Sequence, residues 1–374
     1  MIKILNIIGA RPQIIKAAAI TRTIQTKFKD EIKEVILHTG QHYDQNMSGQ
    51  FIEELGIPKP DINLNIGSGN HGYQTAEMIK GIEKVLLSEK PNWVLVYGDT
   101  NSTLAAAIAA SKLHYPIAHI EAGLRSFNKI MPEEINRILC DHCSTLLFTP
   151  TQTGLNNLLN EGFKIKDSIK YTIDKPGIFH CGDVMYDNSL FYSEKANINT
   201  NVLEENNIIP NNYILATIHR PGNTDKAEYL SDIFSALNEI ANLENKEIVL
   251  PLHPRTKSKL EQFQLFDKFK ILKRIKVIEP VSFLDMIILE KNAAFIITDS
   301  GGVQKEAFFF KKKCLVLRKE TEWIEIIKNR AGILSTNNKE KILESYSQLH
   351  KLLPNFNNLY GDGNAAEFIC GKLV

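Results

Sequence analysis

No run of the chain approaches the roughly 18 consecutive apolar residues that a membrane-spanning helix needs, so its 374 residues are expected to fold in water without membrane insertion. An excess of either charge is missing as well. Lys and Arg number 44 against 43 Asp and Glu, a formal net charge of +1. Such a molecule offers no electrostatic footprint for nucleic acid or an anionic membrane, and an anionic ligand must be held by local groups. Cysteine is sparse: five residues at irregular spacing fit reduced thiols better than a disulfide framework. The first residues, MIKILNIIGARP, carry one lysine and a short apolar run that ends in Gly-Ala-Arg-Pro and not in a small-residue cleavage site. A secretory signal is therefore not expected, and the expected location is cytoplasmic. Neither a low-complexity tract nor a repeat of roughly 20–50 residues is present.

What remains is an ordinary globular composition, 43% hydrophobic and 23% charged, in a chain long enough for two domains with separate cores. Short β-rich runs alternate with amphipathic ones. IKILNII (2–8), EVILHTG (34–40), WVLVYGD (93–99), PIAHIEA (116–122) and TLLFTPT (145–151) are apolar on both faces, as buried parallel strands are. PQIIKAAAITRTIQTKF, NSTLAAAIAASKL and PEEINRILCDHC between them carry helical periodicity. The rhythm restarts with NYILATIH (212–219), EIVLPLHP (247–254), IKVIEP (275–280), AFIITDS (294–300) and KCLVLRK (313–319). The expected fold is α/β: two Rossmann-like, doubly wound parallel sheets with right-handed crossovers. The break at IKYTIDKPG sets the expected domains at residues 1–175 and 176–360.

Ligands of such sheets bind beyond the carboxyl ends of the strands. The segments there are GARP (9–12), TGQH (39–42), GDTNST (98–103), HIEAG (119–123), HRPGN (219–223), HPRT (253–256), TDSGG (298–302) and RKETE (318–322). Nearly all are rich in Gly, His, Arg or carboxylate, which plain turns do not need, and a cleft lined from both domains is the economical expectation. In TDSGGVQKEA a strand ends, two glycines allow close backbone approach and a helix opens. That is a phosphate cradle, or else an ordinary βα turn with Ser300 as N-cap. Arg11 and Lys16 on the first helix would be its cationic counterpart, or part of a solvated face.

Three motifs mislead. GSGNHG (67–72) spells G-x-G-x-x-G, yet it follows the weak run INLNI and does not open the first βα unit, so a loop is expected there and not a nicotinamide cofactor. His119-x-Glu121 before Cys140-x-x-Cys143 imitates a zinc deaminase, but Leu139 stands where proline belongs and the cysteines lie inside a predicted helix. GARPQIIK lacks the Gly-Lys-Ser/Thr ending of a Walker loop.

Three carboxylates stand apart. Pro132 suits the first position of a helix, so Glu133 and Glu134 could merely favour its dipole, with Glu133 paired to Arg137 at i+4. Asp99 and Glu121, however, end strands expected to be neighbours, and a carboxylate closing an apolar strand is poorly solvated. Acids on both sides of one carbon, beside a phosphate clamp, would let a proton leave from one face and return to the other, as an epimerase requires.

The ordered motifs GARPQIIK, TGQHYDQNM, VYGDTNSTLA, HIEAGLRSF…MPEEINR, ATIHRPGNTD, PLHPRT and TDSGGVQKEA resemble those of the non-hydrolysing UDP-N-acetylglucosamine 2-epimerase family over essentially the whole chain. The resemblance implies a GT-B-like fold, a C-terminal helix (361–374) crossing back to the first domain, a homodimer and no cofactor or metal. It also implies a reaction in which a base removes the C2 proton while UDP leaves C1. UDP then re-adds to the 2-acetamidoglucal-type intermediate as C2 is protonated from the other face. By motif position Asp99, Glu121, Glu133 and His219 match the catalytic residues. Arg11, Lys16, Ser300, Gly301 and Gly302 match phosphate contacts, Glu306 the ribose contact, and Gln74, Arg137 and Arg318 further substrate contacts.

Departures from the family pattern narrow the substrate. Gly222 replaces the glutamate of His-Arg-x-Glu-Asn, TEWIE (321–325) replaces Thr-Glu-Arg-Pro-Glu, and the segment before Pro132 is short. These traits look like the branch acting on UDP-2,3-diacetamido-2,3-dideoxy-glucuronate in surface polysaccharide (O-antigen or capsule) assembly, with UDP-N-acetylglucosamine as the alternative. Tyr73 stands where allosterically activated members carry Arg. A GT-B glycosyltransferase, a hydrolysing epimerase and an inactive nucleotide-sugar-binding protein stay open as rivals.

Overall fold

The computed structural model describes residues 1–40, 53–165, 170–270 and 272–374; residues 41–47 of TGQHYDQNM lie outside them. Contacts divide the chain into two compact units, Met1–Leu190 with Asn358–Val374, and Phe191–Asn357.

The first unit holds a seven-stranded sheet. Its strands are β1 (Ile2–Ile8), β2 (Ile32–His38), β3 (Ile62–Asn63), β4 (Trp93–Tyr97), β5 (Ile117–Ile120), β6 (Leu146–Thr149) and β7 (Gly177–His180). They run parallel in the order β3-β2-β1-β4-β5-β6-β7. The order reverses direction between β1 and β4, the kind of switch point where open α/β sheets leave a crevice. Apolar residues on one face of the sheet, Leu5, Leu37, Val94 and Val96 among them, pack against alanines of the helix Asn101–Lys112. Each fully buried aliphatic side chain contributes on the order of 1.5–3 kcal/mol, and the small alanines bring helix and sheet close. Thr100 starts that helix, its hydroxyl accepting from Thr103 N at 3.3 Å.

The second unit holds a six-stranded parallel sheet of β8 (Tyr213–Thr217), β9 (Glu247–Pro251), β10 (Ile275–Ile278), β11 (Phe295–Thr298), β12 (Cys314–Val316) and β13 (Gly332–Leu334). Its order is β10-β9-β8-β11-β12-β13, with the switch between β8 and β11. Ile214, Ile248, Leu250 and Ile297 form a core with the helix Ala227–Glu244.

Two features differ from the sequence reading. β7 pairs with β6 across residues 177–180, so the first sheet continues past the expected boundary at 175 and the units part between Leu190 and Phe191. GSGNHG is only partly loop, since the helix His71–Glu89 begins within it. At the other end of the chain, Asn358–Val374 belongs to the first unit. Asp187 receives the helix Ala365–Leu373 there, its carboxylate accepting from Ala365 N at 3.3 Å and Ala366 N at 2.8 Å. No helix among the described residues is long and apolar enough to cross a membrane.

Candidate active site

In the first unit β4 and β5 lie side by side, so Asp99 and Glu121, just beyond their last residues, emerge at the same sheet edge. Both exits pass through the left-handed region, Gly98 at φ 60° and Glu121 at φ 73°. Glycine adopts that conformation freely, whereas a glutamate there costs on the order of 1 kcal/mol. Strain of this kind collects where a side chain must be aimed. A Cβ on Gly98 would stand 3.0 Å from a Glu121 oxygen and 3.1 Å from the Lys16 ammonium, so glycine also leaves room for the ion pair those two form. Lys16 and Glu121 are each only 9% exposed.

Asp99 is held by Arg137, whose Nη2 lies 2.5 Å from Oδ2. Burial is the strongest influence on Asp99 and lifts its pKa; Arg137 and Lys16 pull it back, while the charges of Glu121 and Glu133 push it further up. Glu133 itself is exposed in the first turn of the helix Pro132–Cys143. The alternative pairing of Glu133 with Arg137 at i+4 does not form: Arg137 is buried and turns to Asp99 and, at 3.0 Å, to Glu134. Glu134 is more than a dipole partner. It accepts from Ser126 N at 2.8 Å, Ser126 Oγ at 3.0 Å and Phe127 N at 2.9 Å, pinning the segment before Pro132. Burial works against its ionisation, yet these bonds and Arg137 leave its pKa lowered.

Beneath this edge lies His119, fully buried. Its Nε2 lies 2.9 Å from the Gly98 carbonyl and its Nδ1 2.7 Å from Asp141. Asp141 in turn meets Arg125 at 2.8 Å, and Arg125 grips Glu161 at 2.7 and 2.6 Å. None of these links was apparent from sequence spacing. Gln74 is buried too: its Nε2 donates to Gly67 O at 3.0 Å and its Oε1 accepts from Asn101 at 3.0 Å. Asn136 links Asn101 to the Asp99 carbonyl at 3.3 and 2.9 Å. Gln13, a residue not singled out in the sequence, ties the first helix to β4 by donating to Tyr97 O at 3.1 Å and Thr103 Oγ1 at 2.9 Å. Arg11 is the first residue of that helix and is exposed.

In the second unit the switch between β8 and β11 brings His219 to Asp299. Asp299 is fully buried and accepts from His219 N, Arg220 N and Asn223 Nδ2, each at 3.0 Å. The His219 Nδ1 sits 3.3 Å from the same carboxylate, and the ring stacks on His253 with centroids 5.2 Å apart. Burial lowers the His219 pKa; Asp299 opposes the shift and Arg220 adds to it. Lowering leaves a mostly neutral imidazole at pH 7, able to accept a proton.

Ser300 is the N-cap of the helix Gly301–Phe309, its hydroxyl accepting from Val303 N at 3.5 Å. The Gly301 and Gly302 N–H groups, in the first turn, have no partner along the helix. Glu306 reaches back toward them, its Oε2 3.9 Å from where a Cβ of Gly302 would stand. Arg318 follows β12, buried, and pairs with Glu322 at 2.9 Å. Among the described residues no group of three or more His, Cys, Asp or Glu side chains is arranged to hold a metal ion.

Residues 25–374 match the family model described as UDP-N-acetylglucosamine 2-epimerase. The chain belongs to the UDP-N-acetylglucosamine 2-epimerase family.

It is thus a carbohydrate epimerase, an isomerase. It is 52% identical to a UDP-N-acetylglucosamine 2-epimerase homolog of Methanococcus maripaludis over 97% of both chains. It is 48% identical to the UDP-2,3-diacetamido-2,3-dideoxy-D-glucuronate 2-epimerase of Pseudomonas aeruginosa over 100% of this chain and 99% of that one. Among solved structures, the Methanocaldococcus jannaschii UDP-GlcNAc 2-epimerase in complex with UDP-GlcNAc and UDP superposes with a TM-score of 0.88. That enzyme shares 46% identity, with 100% of this chain and 99% of that one covered.

In the epimerase, Gly123, two residues after Glu121, stands at φ 78°. A Cβ there would stand 2.3 Å from the Gly154 carbonyl oxygen, a backbone atom that cannot swing aside. Gly123→Ala is expected to cost roughly 2–3 kcal/mol, read as a lower denaturation midpoint; an unchanged midpoint would show that the turn relaxes freely.

Proposed function

We propose that the epimerase inverts C2 of a UDP-2-acetamido sugar by elimination and re-addition of UDP. The observation that carries this is the pair of buried-edge carboxylates, Asp99 and Glu121, at adjacent strand ends and each ion-paired to a cation. In the forward step a base takes the C2 proton, the C1–O bond breaks and UDP leaves with the electron pair. In the return step UDP re-forms the bond at C1 as an acid protonates C2 from the other face. Asp99, Glu121, Glu133 and His219 serve as the acid/base residues. The raised pKa of Asp99 and the lowered pKa of His219 each favour the neutral form, a carboxylic acid that can give a proton and an imidazole that can take one. Arg11, Lys16, Ser300, Gly301 and Gly302 hold the diphosphate, Glu306 the ribose, and Gln74, Arg137 and Arg318 complete the substrate contacts.

The substrate we favour is UDP-2,3-diacetamido-2,3-dideoxy-D-glucuronate, converted to its manno epimer for surface polysaccharide assembly by a cytoplasmic homodimer. The branch-like motifs TEWIE and the short segment before Pro132 support it, as does the 48% identity to an enzyme of that name. The 46% identity to a structure holding UDP-GlcNAc supports the second reading, UDP-GlcNAc and UDP-ManNAc interconversion. Proton NMR in deuterium oxide, with each UDP-sugar in its own tube and no acceptor, separates them. A manno product deuterated at C2 in the first tube alone is expected. Turnover of UDP-GlcNAc alone would establish the alternative, and no exchange in either tube would favour sugar transfer to an acceptor.

A further inference from the structure

The helix Phe283–Asn292 of the second unit buries Phe283, Leu284, Ile287, Ile288, Leu289 and, as its one charged buried member, Glu290. Glu290 has no exposed surface, and among the described residues neither of its carboxylate oxygens meets a hydrogen-bond donor. The titratable groups that face it are Glu306 from the helix Gly301–Phe309, Tyr213 from β8 and Cys314 from β12. None is a cation. The Tyr213 hydroxyl is already committed to Leu289 O at 2.5 Å. Glu306 lies within hydrogen-bonding reach of Glu290.

Two carboxyl groups in contact, with one of them fully buried, do not both ionise readily, because the second charge would be desolvated beside the first. The proton stays on the more buried member: burial, first, and then the Glu306 charge raise the Glu290 pKa well above 4.5. The negative charge stays on Glu306, 8% exposed and turned toward the first turn of its own helix, where the dipole favours an anion.

From this juxtaposition we infer that Glu290 is a positioning residue for nucleotide binding: its carboxylic O–H donates to one Glu306 oxygen and fixes that carboxylate to accept from the ribose hydroxyls of UDP. The inference rests on the reading of Glu306 as the ribose contact. It also accounts for a glutamate among the otherwise apolar buried residues of this helix. Removing the proton donor takes away one of the contacts that orient Glu306, and the hydrogen bonds to the ribose weaken.

Calorimetry of the full chain with UDP and with 2′,3′-dideoxyuridine diphosphate, for wild type, Glu290→Gln and Glu290→Met, tests it. Glu290→Met is expected to bind UDP about tenfold more weakly, the scale of one well-placed hydrogen bond. Glu290→Gln, whose amide still donates, is expected within about threefold of wild type, and all three should bind the dideoxy analogue alike. Glu290→Met binding UDP as tightly as wild type, or losing the dideoxy analogue equally, overturns the inference but leaves UDP binding standing. Wild type that does not bind UDP overturns both. A measurement that needs no ligand reads the proton itself: the infrared C=O stretch of a protonated carboxylic acid at neutral pH, present in wild type and gone in Glu290→Gln. Its absence from wild type overturns the inference even where Glu290→Met does not fold.

Discussion

Glu121→Gln is expected to lower turnover on the order of a hundredfold or more, the usual scale of a lost acid or base, while UDP binds within about threefold of wild type. The residue stands in a strained left-handed conformation beside the Lys16 ammonium, and the amide keeps its size and most of its hydrogen bonding. Loss of the ion pair alone is a smaller effect: Lys16 keeps its place in the phosphate clamp proposed for it. The decisive readout is deuterium entering C2. If Glu121 handles that proton, exchange and turnover fall together. If exchange persists while net epimerisation stops, Glu121 serves only one face of the carbon. Turnover near wild type removes it from the mechanism.

The long strands were legible because a strand buried on both faces reads as a continuous apolar run. The three that were missed, β3, β7 and β13, stand at sheet edges and are only partly buried, so they do not read as continuous apolar runs. Their pairing is set by neighbours and not by their own pattern, which is why the boundary expected at 175 fell inside the first unit. In the site, residue types at strand ends pointed to acid/base chemistry, but partners did not follow from spacing. A local i+4 rule assigns Arg137 to Glu133. Only the packed structure turns it to Asp99 and Glu134. Glu134 is a loop anchor because the Ser126 and Phe127 N–H groups are folded onto it, and nothing local signals that. Glu290 and Asp141 are both fully buried, and no local pattern marks either of them.

Asp141→Asn is expected to destabilise the first unit by roughly 3–5 kcal/mol, the cost of breaking a buried ion pair from one side. Asp141 is the common partner of His119 at 2.7 Å and Arg125 at 2.8 Å, and it also accepts from Gly123 N at 3.2 Å. Arg125 keeps Glu161 in the variant, which favours the lower end of that range. The His119 side distinguishes a charged pair from a plain hydrogen bond. Its Nε2 faces the Gly98 carbonyl, which can only accept, so both ring nitrogens donate and the ring is an imidazolium. Burial pulls its pKa down, but the Cys140 sulfur and the Asp141 carboxylate more than offset this, and the folded value lies well above 6.5. A raised folded pKa contributes stability that is complete below 6.5 and is lost as pH climbs through the folded value. For Asp141 burial opposes ionisation, yet His119 and Arg125 lower its pKa, so its contribution is present above 3.8 and fades as pH falls through the lowered value. Urea unfolding of the first unit should therefore separate wild type from Asp141→Asn most between pH 4 and 6.5. The gap should narrow in alkali, where wild type gives up the His119 proton that the variant, lacking the Asp141 carboxylate, already holds less tightly. A gap that stays constant to high pH would mean that His119 is neutral in the fold and that Asp141 acts as an ordinary acceptor.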